Sequence, residues 1–173
     1  MNEWICRDEE EILNKIIESV FQDFPYGPRY DVFLNHHGPD VKETFANALY
    51  NSLVYCRFIF FLDEQESMWE LKITPQIEVA IQFAHVNIAL FSPRYAQSRW
   101  CLEELNLMVR SKNTILPIFY EVKLSDLQWP ERGVYAHALL NQKNNDRYDP
   151  QALQDWRDAL SEVGKLPGHQ LDG

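Results

Sequence analysis

Clustered positive charge is missing from this sequence. Its 173 residues carry 16 Lys and Arg against 26 Asp and Glu, a formal net charge of −10, and no basic patch stands out. Nucleic acids and anionic membranes are bound through a concentrated positive footprint, so neither is expected as the main partner. Cysteine is scarce. Cys6, Cys56 and Cys101 are an odd number without metal-ligand spacing, and they read as small buried hydrophobes in a reducing compartment. No apolar run approaches membrane-spanning length; Phe58-Ile59-Phe60-Phe61-Leu62 is the size of a strand. Met1-Asn2-Glu3-Trp4 and the acidic run behind it do not make a signal peptide. Walker, HExxH and GxSxG motifs are missing too. The expectation is a soluble intracellular chain, cytoplasmic with the nucleus as the alternative.

What is present is a globular composition, 46% hydrophobic and 13% aromatic, in a pattern that switches between two periods. Tyr30-Asp31-Val32-Phe33-Leu34, Arg57 to Leu62, Val86 to Phe91 and Thr114 to Tyr120 read as strands, Pro117 fitting an edge or bulge. Between them, Val41 to Tyr55, a stretch starting at Thr74-Pro75, and a stretch from near Tyr95 to about Ser111 repeat their apolar residues at helical spacing. Short helical pieces follow over 124–141, then a polar loop over 142–150 and a last helix over 152–163. Strands alternating with helices give a parallel sheet. The predicted fold is α/β: a flavodoxin-like three-layer sandwich, with about five parallel strands in the order 2-1-3-4-5 and helices on both faces. An additional amphipathic helix over 8–24 (Ile12, Leu13, Ile16, Ile17, Val20, Phe21 and Phe24 on one stripe) precedes it, ended by Pro25-Tyr26-Gly27-Pro28. The division is therefore 1–28 as helix and linker and 29–170 as the main domain.

In such a sheet the ligand crevice lies at the carboxyl ends of the strands flanking the switch point, here the first and third. That places it between Asn35–Asp40 and Ser92–Glu104. Trp100 and Glu104, four residues apart, share one helix face beside it. On residue type alone the Trp is more often core and the Glu more often solvated. Together, an indole face and a carboxylate suit a flat, electron-poor ring on a ligand that becomes cationic. Other chemistries fit poorly. The first loop, Asn35-His36-His37-Gly38-Pro39, lacks the Gly, Ser and Thr of a phosphate cradle. Phe91-Ser92-Pro93 offers no phospho-acceptor aspartate. The adjacent side chains of His36 and His37 diverge and have no evident third ligand, so no metal is expected.

Several blocks fall in order that carry a specific resemblance. They are Tyr30 to Leu34, Gly38 with Asp40, Phe61 with Asp63, Ser98-Arg99-Trp100-Cys101-Leu102-Glu103-Glu104-Leu105, Leu116 to Val122, and Trp156-Arg157-Asp158-Ala159-Leu160. The sequence resembles the plant Toll/interleukin-1 receptor (TIR) domain over roughly residues 29–170. The resemblance implies cleavage of the nicotinamide–ribose bond of NAD+ to give ADP-ribose or cyclic ADP-ribose-type signals in innate immunity, upon self-association or association with other TIR domains. NAD+ is then a substrate, and no cofactor is implied. The catalytic glutamate of the family falls on Glu104 and its stacking Trp on Trp100. Substrate-binding positions are carried over to His36, His37, Gly38, Ile73 and Ser92. Glu103, about 100° round the helix, is expected to face solvent.

The chain departs from the plant pattern at identifiable positions. Where the pattern reads Ser-Phe-Arg-Gly, this chain has Asn35-His36-His37-Gly38, so a permanently charged guanidinium becomes a mostly neutral imidazole. A usual Gly after the second strand falls on Glu70, with Trp69 at its basic neighbour, and the Ser-His pair of the first helix reads Asn47-Ala48. These changes motivate an alternative: a catalytically weak TIR adaptor or decoy acting through TIR–TIR contact. The helix over 8–24 resembles a linker that usually follows the domain, and the layout resembles a TIR-only protein. If that helix packs on its own domain, Ile16→Asp buries a charge and lowers the unfolding free energy by a few kcal/mol, read from chemical denaturation. Unchanged melting with lost assembly would make the stripe an interface instead.

Overall fold

A computed structural model of the chain describes residues 15, 30–38, 45–55, 60–62, 75–143 and 149–171. In order, the elements are β1 (Tyr30–His36), α1 (Phe45–Tyr55), β2 (Phe60–Leu62), α2 (Pro75–Phe83), β3 (Ala84–Phe91), a single 3-10 turn (Tyr95–Gln97), α3 (Arg99–Ser111), β4 (Thr114–Tyr120), α4 (Leu124–Gln128), α5 (Ala136–Lys143), α6 (Pro150–Val163) and β5 (His169–Leu171). The five strands form one sheet in the order β2-β1-β3-β4-β5, and every pairing is parallel. The alternating pattern thus gives the doubly wound sheet that the sequence predicts. The predicted helix over 8–24 lies outside the described residues apart from Lys15, an exposed helical residue. The predicted start of the second strand at Arg57 and the loop with Trp69 and Glu70 also lie outside them.

Because side chains alternate across a strand, each inner strand serves two cores. Val32 and Leu34 of β1, with Val86, Ile88 and Leu90 of β3, pack with Phe45, Leu49 and Leu53 of α1. Phe33, Ala89 and Phe91 face the other way, into the cluster that holds Ile77 and Ile81 of α2, Leu102, Leu105 and Met108 of α3, and Trp156 and Leu160 of α6. Both faces are covered, as parallel sheets require. Asn113, just past α3, donates its amide N–H groups to the carbonyls of Ile81, Gln82 and Ala84 at 3.1, 2.8 and 3.1 Å. It closes the end of α2, where helical carbonyls have no partner of their own.

Several boundaries differ from the sequence reading: β1 runs on through Asn35 and His36, both expected in its exit loop, β3 begins at Ala84 and α6 at Pro150. The helix expected to begin near Tyr95 begins at Arg99. Ser98 is its N-cap, accepting from the Cys101 N–H at 3.3 Å, and Tyr95–Gln97 forms a separate 3-10 turn. A further difference is β5, a strand not located in the sequence, whose His-Gln-Leu has no apolar run to mark it. It pairs with Ile118 to Tyr120 of β4, and Pro117 lies one residue outside that pairing. Gly168 leads into β5 so close to β4 that a Cβ there would sit 2.5 Å from the Pro117 carbonyl oxygen.

Trp156 is fully buried at the contact of α6 with the sheet. Trp156→Ala removes that ring and leaves a cavity. It is expected to lower the unfolding free energy by about 3–5 kcal/mol, measured by urea denaturation; a loss under about 1 kcal/mol would contradict this packing.

Candidate active site

The site is built on α3. Cys101, Leu105 and Met108 lie on its inward stripe, and Glu104, at the same helical spacing, falls on that stripe with them. The stripe therefore carries a carboxylate into the core: Glu104 is 4% exposed. A buried charge is tolerated only where donors meet it, and the donor comes from β1. Asn35 shares the parity of Phe33 and so faces α3. Its Nδ2 donates to Glu104 Oε2 at 2.7 Å and to the Cys101 carbonyl at 3.3 Å.

A third group completes the cluster. The Tyr95 hydroxyl, from the 3-10 turn, donates to Asn35 Oδ1 and lies 3.1 Å from the Cys101 carbonyl. Its ring is fully buried, tilted against Phe91 at 4.7 Å between centroids. Burial, and after it the neighbouring Cys101 and Glu104, push the Tyr95 hydroxyl well above the ordinary tyrosine value, against the opposing bond from Asn35. Tyr95 is thus a neutral hydroxyl over the whole physiological range.

The parallel register brings the predicted residues to one end of the sheet. Asn35 aligns with Ala89 and His36 with Leu90, so β1 and β3 end side by side. His36 is half-buried, and its carbonyl accepts from Cys101 Sγ at 3.3 Å. That contact ties the end of β1 to the first turn of α3. His37 is half-buried and Gly38 buried beyond it. Ser92 is buried where β3 ends. Its carbonyl accepts from the Tyr95 N–H at 3.1 Å and the Tyr135 hydroxyl at 2.9 Å. Trp100, one turn before Glu104, is half-buried, and the Arg99 guanidinium lies over its ring, 4.5 Å from the centroid. Glu103 is half-buried. Ile73 and Asp40 lie outside the described residues. Among the described residues no group of three or more His, Cys, Asp and Glu side chains could hold a metal ion, and no helix is long and apolar enough to cross a membrane.

The sequence reading missed Asn35 and Tyr95 as members of the site. Asn35 had a signal: a polar residue directly after the apolar run Val32-Phe33-Leu34, at the parity of Phe33. Tyr95 had none, because an aromatic before an amphipathic helix reads as core.

Comparison with known proteins gives one family. The TIR domain matches residues 29–172. Among curated relatives, the chain is 35% identical over 144 residues to a probable 2′ cyclic ADP-D-ribose synthase, BdTIR, of Brachypodium distachyon, covering 83% of this chain and 60% of that protein. It is 34% identical over 143 residues to the TMV resistance protein N of Nicotiana glutinosa, covering 80% of this chain and 12% of that one. The fold is similar to the TIR domains of the activated Roq1 resistosome that directly recognises the pathogen effector XopQ. There the TM-score is 0.71 at 32% identity, over 82% of this chain and 87% of that one.

The environment of Tyr95 predicts an alkaline behaviour. A hydroxyl whose proton is held more tightly in the folded chain leaves stability intact below about pH 10 and lowers it as pH rises past that value. Difference absorbance of the wild type against Tyr95→Phe should show no tyrosinate from Tyr95 until the chain unfolds. A Tyr95-dependent step near pH 10 in the folded protein would contradict the burial.

Proposed function

The chain belongs to the TIR-domain family, and from that premise we propose that it cleaves the nicotinamide–ribose bond of NAD+ in innate immune signalling. The observation that carries the reading is Glu104: a carboxylate on a core stripe, almost wholly out of water, at the sheet end where β1 and β3 part. Departure of nicotinamide leaves an oxocarbenium-like ribose, as in glycoside cleavage. A carboxylate held in a low-dielectric setting stabilises that developing positive charge far more than one in water does. Nicotinamide leaves as a neutral molecule, so the scission needs no general acid.

The remaining roles are those that the family resemblance carries over. Trp100 offers an indole face one turn from Glu104 to a flat ligand ring. His36, His37, Gly38, Ser92 and Ile73 line the substrate. The imidazole of His37 stands where a guanidinium would hold phosphate, so affinity for NAD+ should be weaker than with Arg at that position. Water attacking the ribose cation gives ADP-ribose, and a hydroxyl of the same molecule gives a cyclic product. The name of BdTIR, a 2′ cyclic ADP-D-ribose synthase, supports the cyclic outcome. The match to TIR domains of an activated resistosome supports activity on assembly with further TIR domains, in the cytoplasm or nucleus. The chain spans about 60% of BdTIR and 12% of protein N, and the domain is read as 29–170 behind an N-terminal helix.

Purified full chain, dilute and then crowded on a scaffold, should consume NAD+ in the crowded state. Glu104→Ala should abolish that loss, by at least roughly 100-fold, without changing the melting temperature enough to unfold it. Equal consumption by variant and wild type would sink the assignment. No consumption in either state, together with binding to another TIR domain, would favour the adaptor.

A further inference from the structure

Asn35 is wholly buried, and its amide is fully engaged: two N–H contacts, to Glu104 Oε2 at 2.7 Å and the Cys101 carbonyl at 3.3 Å, and an oxygen that accepts from Tyr95. It lies behind Glu104 and has no N–H left for a ligand. An amide of this kind has two orientations, related by a flip about its last bond. In the flipped one, its oxygen would face the Glu104 carboxylate and the Cys101 carbonyl, both acceptors. Those two acceptors therefore fix the productive orientation, and the Tyr95 hydroxyl, donating to the oxygen, anchors the amide in it. Tyr95 is itself held by its backbone N–H on the Ser92 carbonyl and by ring contact with Phe91.

Resting on the reading of Glu104 as the reacting carboxylate, we infer that Asn35 and Tyr95 are positioning residues that fix it. Tyr95 anchors the Asn35 amide, and the amide holds the rotamer of Glu104 and favours its ionised form. Such a relay holds the carboxylate in place before the substrate arrives, and small misplacements of a reacting group reduce turnover steeply. It acts on the chemical step and leaves substrate contacts alone, since neither residue reaches a ligand-facing surface.

The test uses the full chain on the scaffold, with Asn35→Leu, Tyr95→Phe and the double variant. Each single change should lower kcat by roughly tenfold or more with KM within about twofold. The double variant should be no slower than Asn35→Leu, because Tyr95 acts through the amide. Tyr95→Phe removes one hydroxyl, so it remains informative if Asn35→Leu fails to fold. An unchanged kcat in Tyr95→Phe, or effects that multiply in the double variant, would overturn the relay. A second readout needs no turnover. The Glu104 carboxyl 13C resonance, identified by its loss in Glu104→Gln, should titrate at higher pH in Tyr95→Phe than in the wild type, because the donor to its ionised form is no longer held. Identical midpoints would overturn the proposal even if the wild type leaves NAD+ intact, and that inactivity would by itself count only against the assigned reaction.

Discussion

A carboxylate on the inward stripe of α3 is the constraint around which this end of the molecule is arranged. Placed among Cys101, Leu105 and Met108, Glu104 would be too costly to ionise without a donor of its own. The donor is an amide from the neighbouring strand, 2.7 Å away. For it to be there, β1 must lie beside β3 in parallel, Asn35 must have the parity of Phe33, and α3 must begin at the right phase. The order 2-1-3-4-5 supplies the first condition and strand alternation the second. Ser98, capping α3 at Arg99, supplies the third. The carboxylate and the fold are therefore coupled: moving the helix start by one residue would swing Glu104 off the stripe by about 100°.

The same coupling explains why the cluster is closed. Tyr95, Asn35, Cys101 and Glu104 are hydrogen-bonded in one buried cluster, and the Cys101 thiol reaches across to the His36 carbonyl. Buried polar networks specify one arrangement when every member is paired. At the same end of the sheet the chain presents different material: the half-buried Trp100 with Arg99 over its ring, and the half-buried His37. One face of the indole is thus taken by a guanidinium, and a ligand ring would meet the other.

Much of this was legible in the sequence, for a physical reason. Strands buried on both faces are continuous apolar runs, and helices repeat at 3.6 residues, so β1, β3, β4, α3 and α6 stand out from their residues alone. Trp100 and Glu104 were singled out because four-residue spacing and the switch point of the sheet converge on them. Other features were illegible because they depend on partners distant in sequence. β5 is three residues whose only mark is pairing with β4. Asn35 lies 69 positions from Glu104, and nothing local ties them. The 3-10 turn that carries Tyr95 shares the helical look of α3, and only the Ser98 cap divides the two. Asn35 is also the first residue of the segment in which the chain departs from the plant pattern, so one substitution read as a loop variant proves to be a core contact.

The central claim is that Glu104 works as a buried negative charge, and an isosteric substitution tests it most directly. Glu104→Gln keeps the shape and can still accept from Asn35, but it removes the charge. Binding of NAD+ and release of nicotinamide would be measured side by side on scaffolded wild type and variant. The account predicts affinity within a few-fold of the wild type and nicotinamide release lowered by at least roughly 100-fold. Nicotinamide release at the wild-type rate from Glu104→Gln would contradict it.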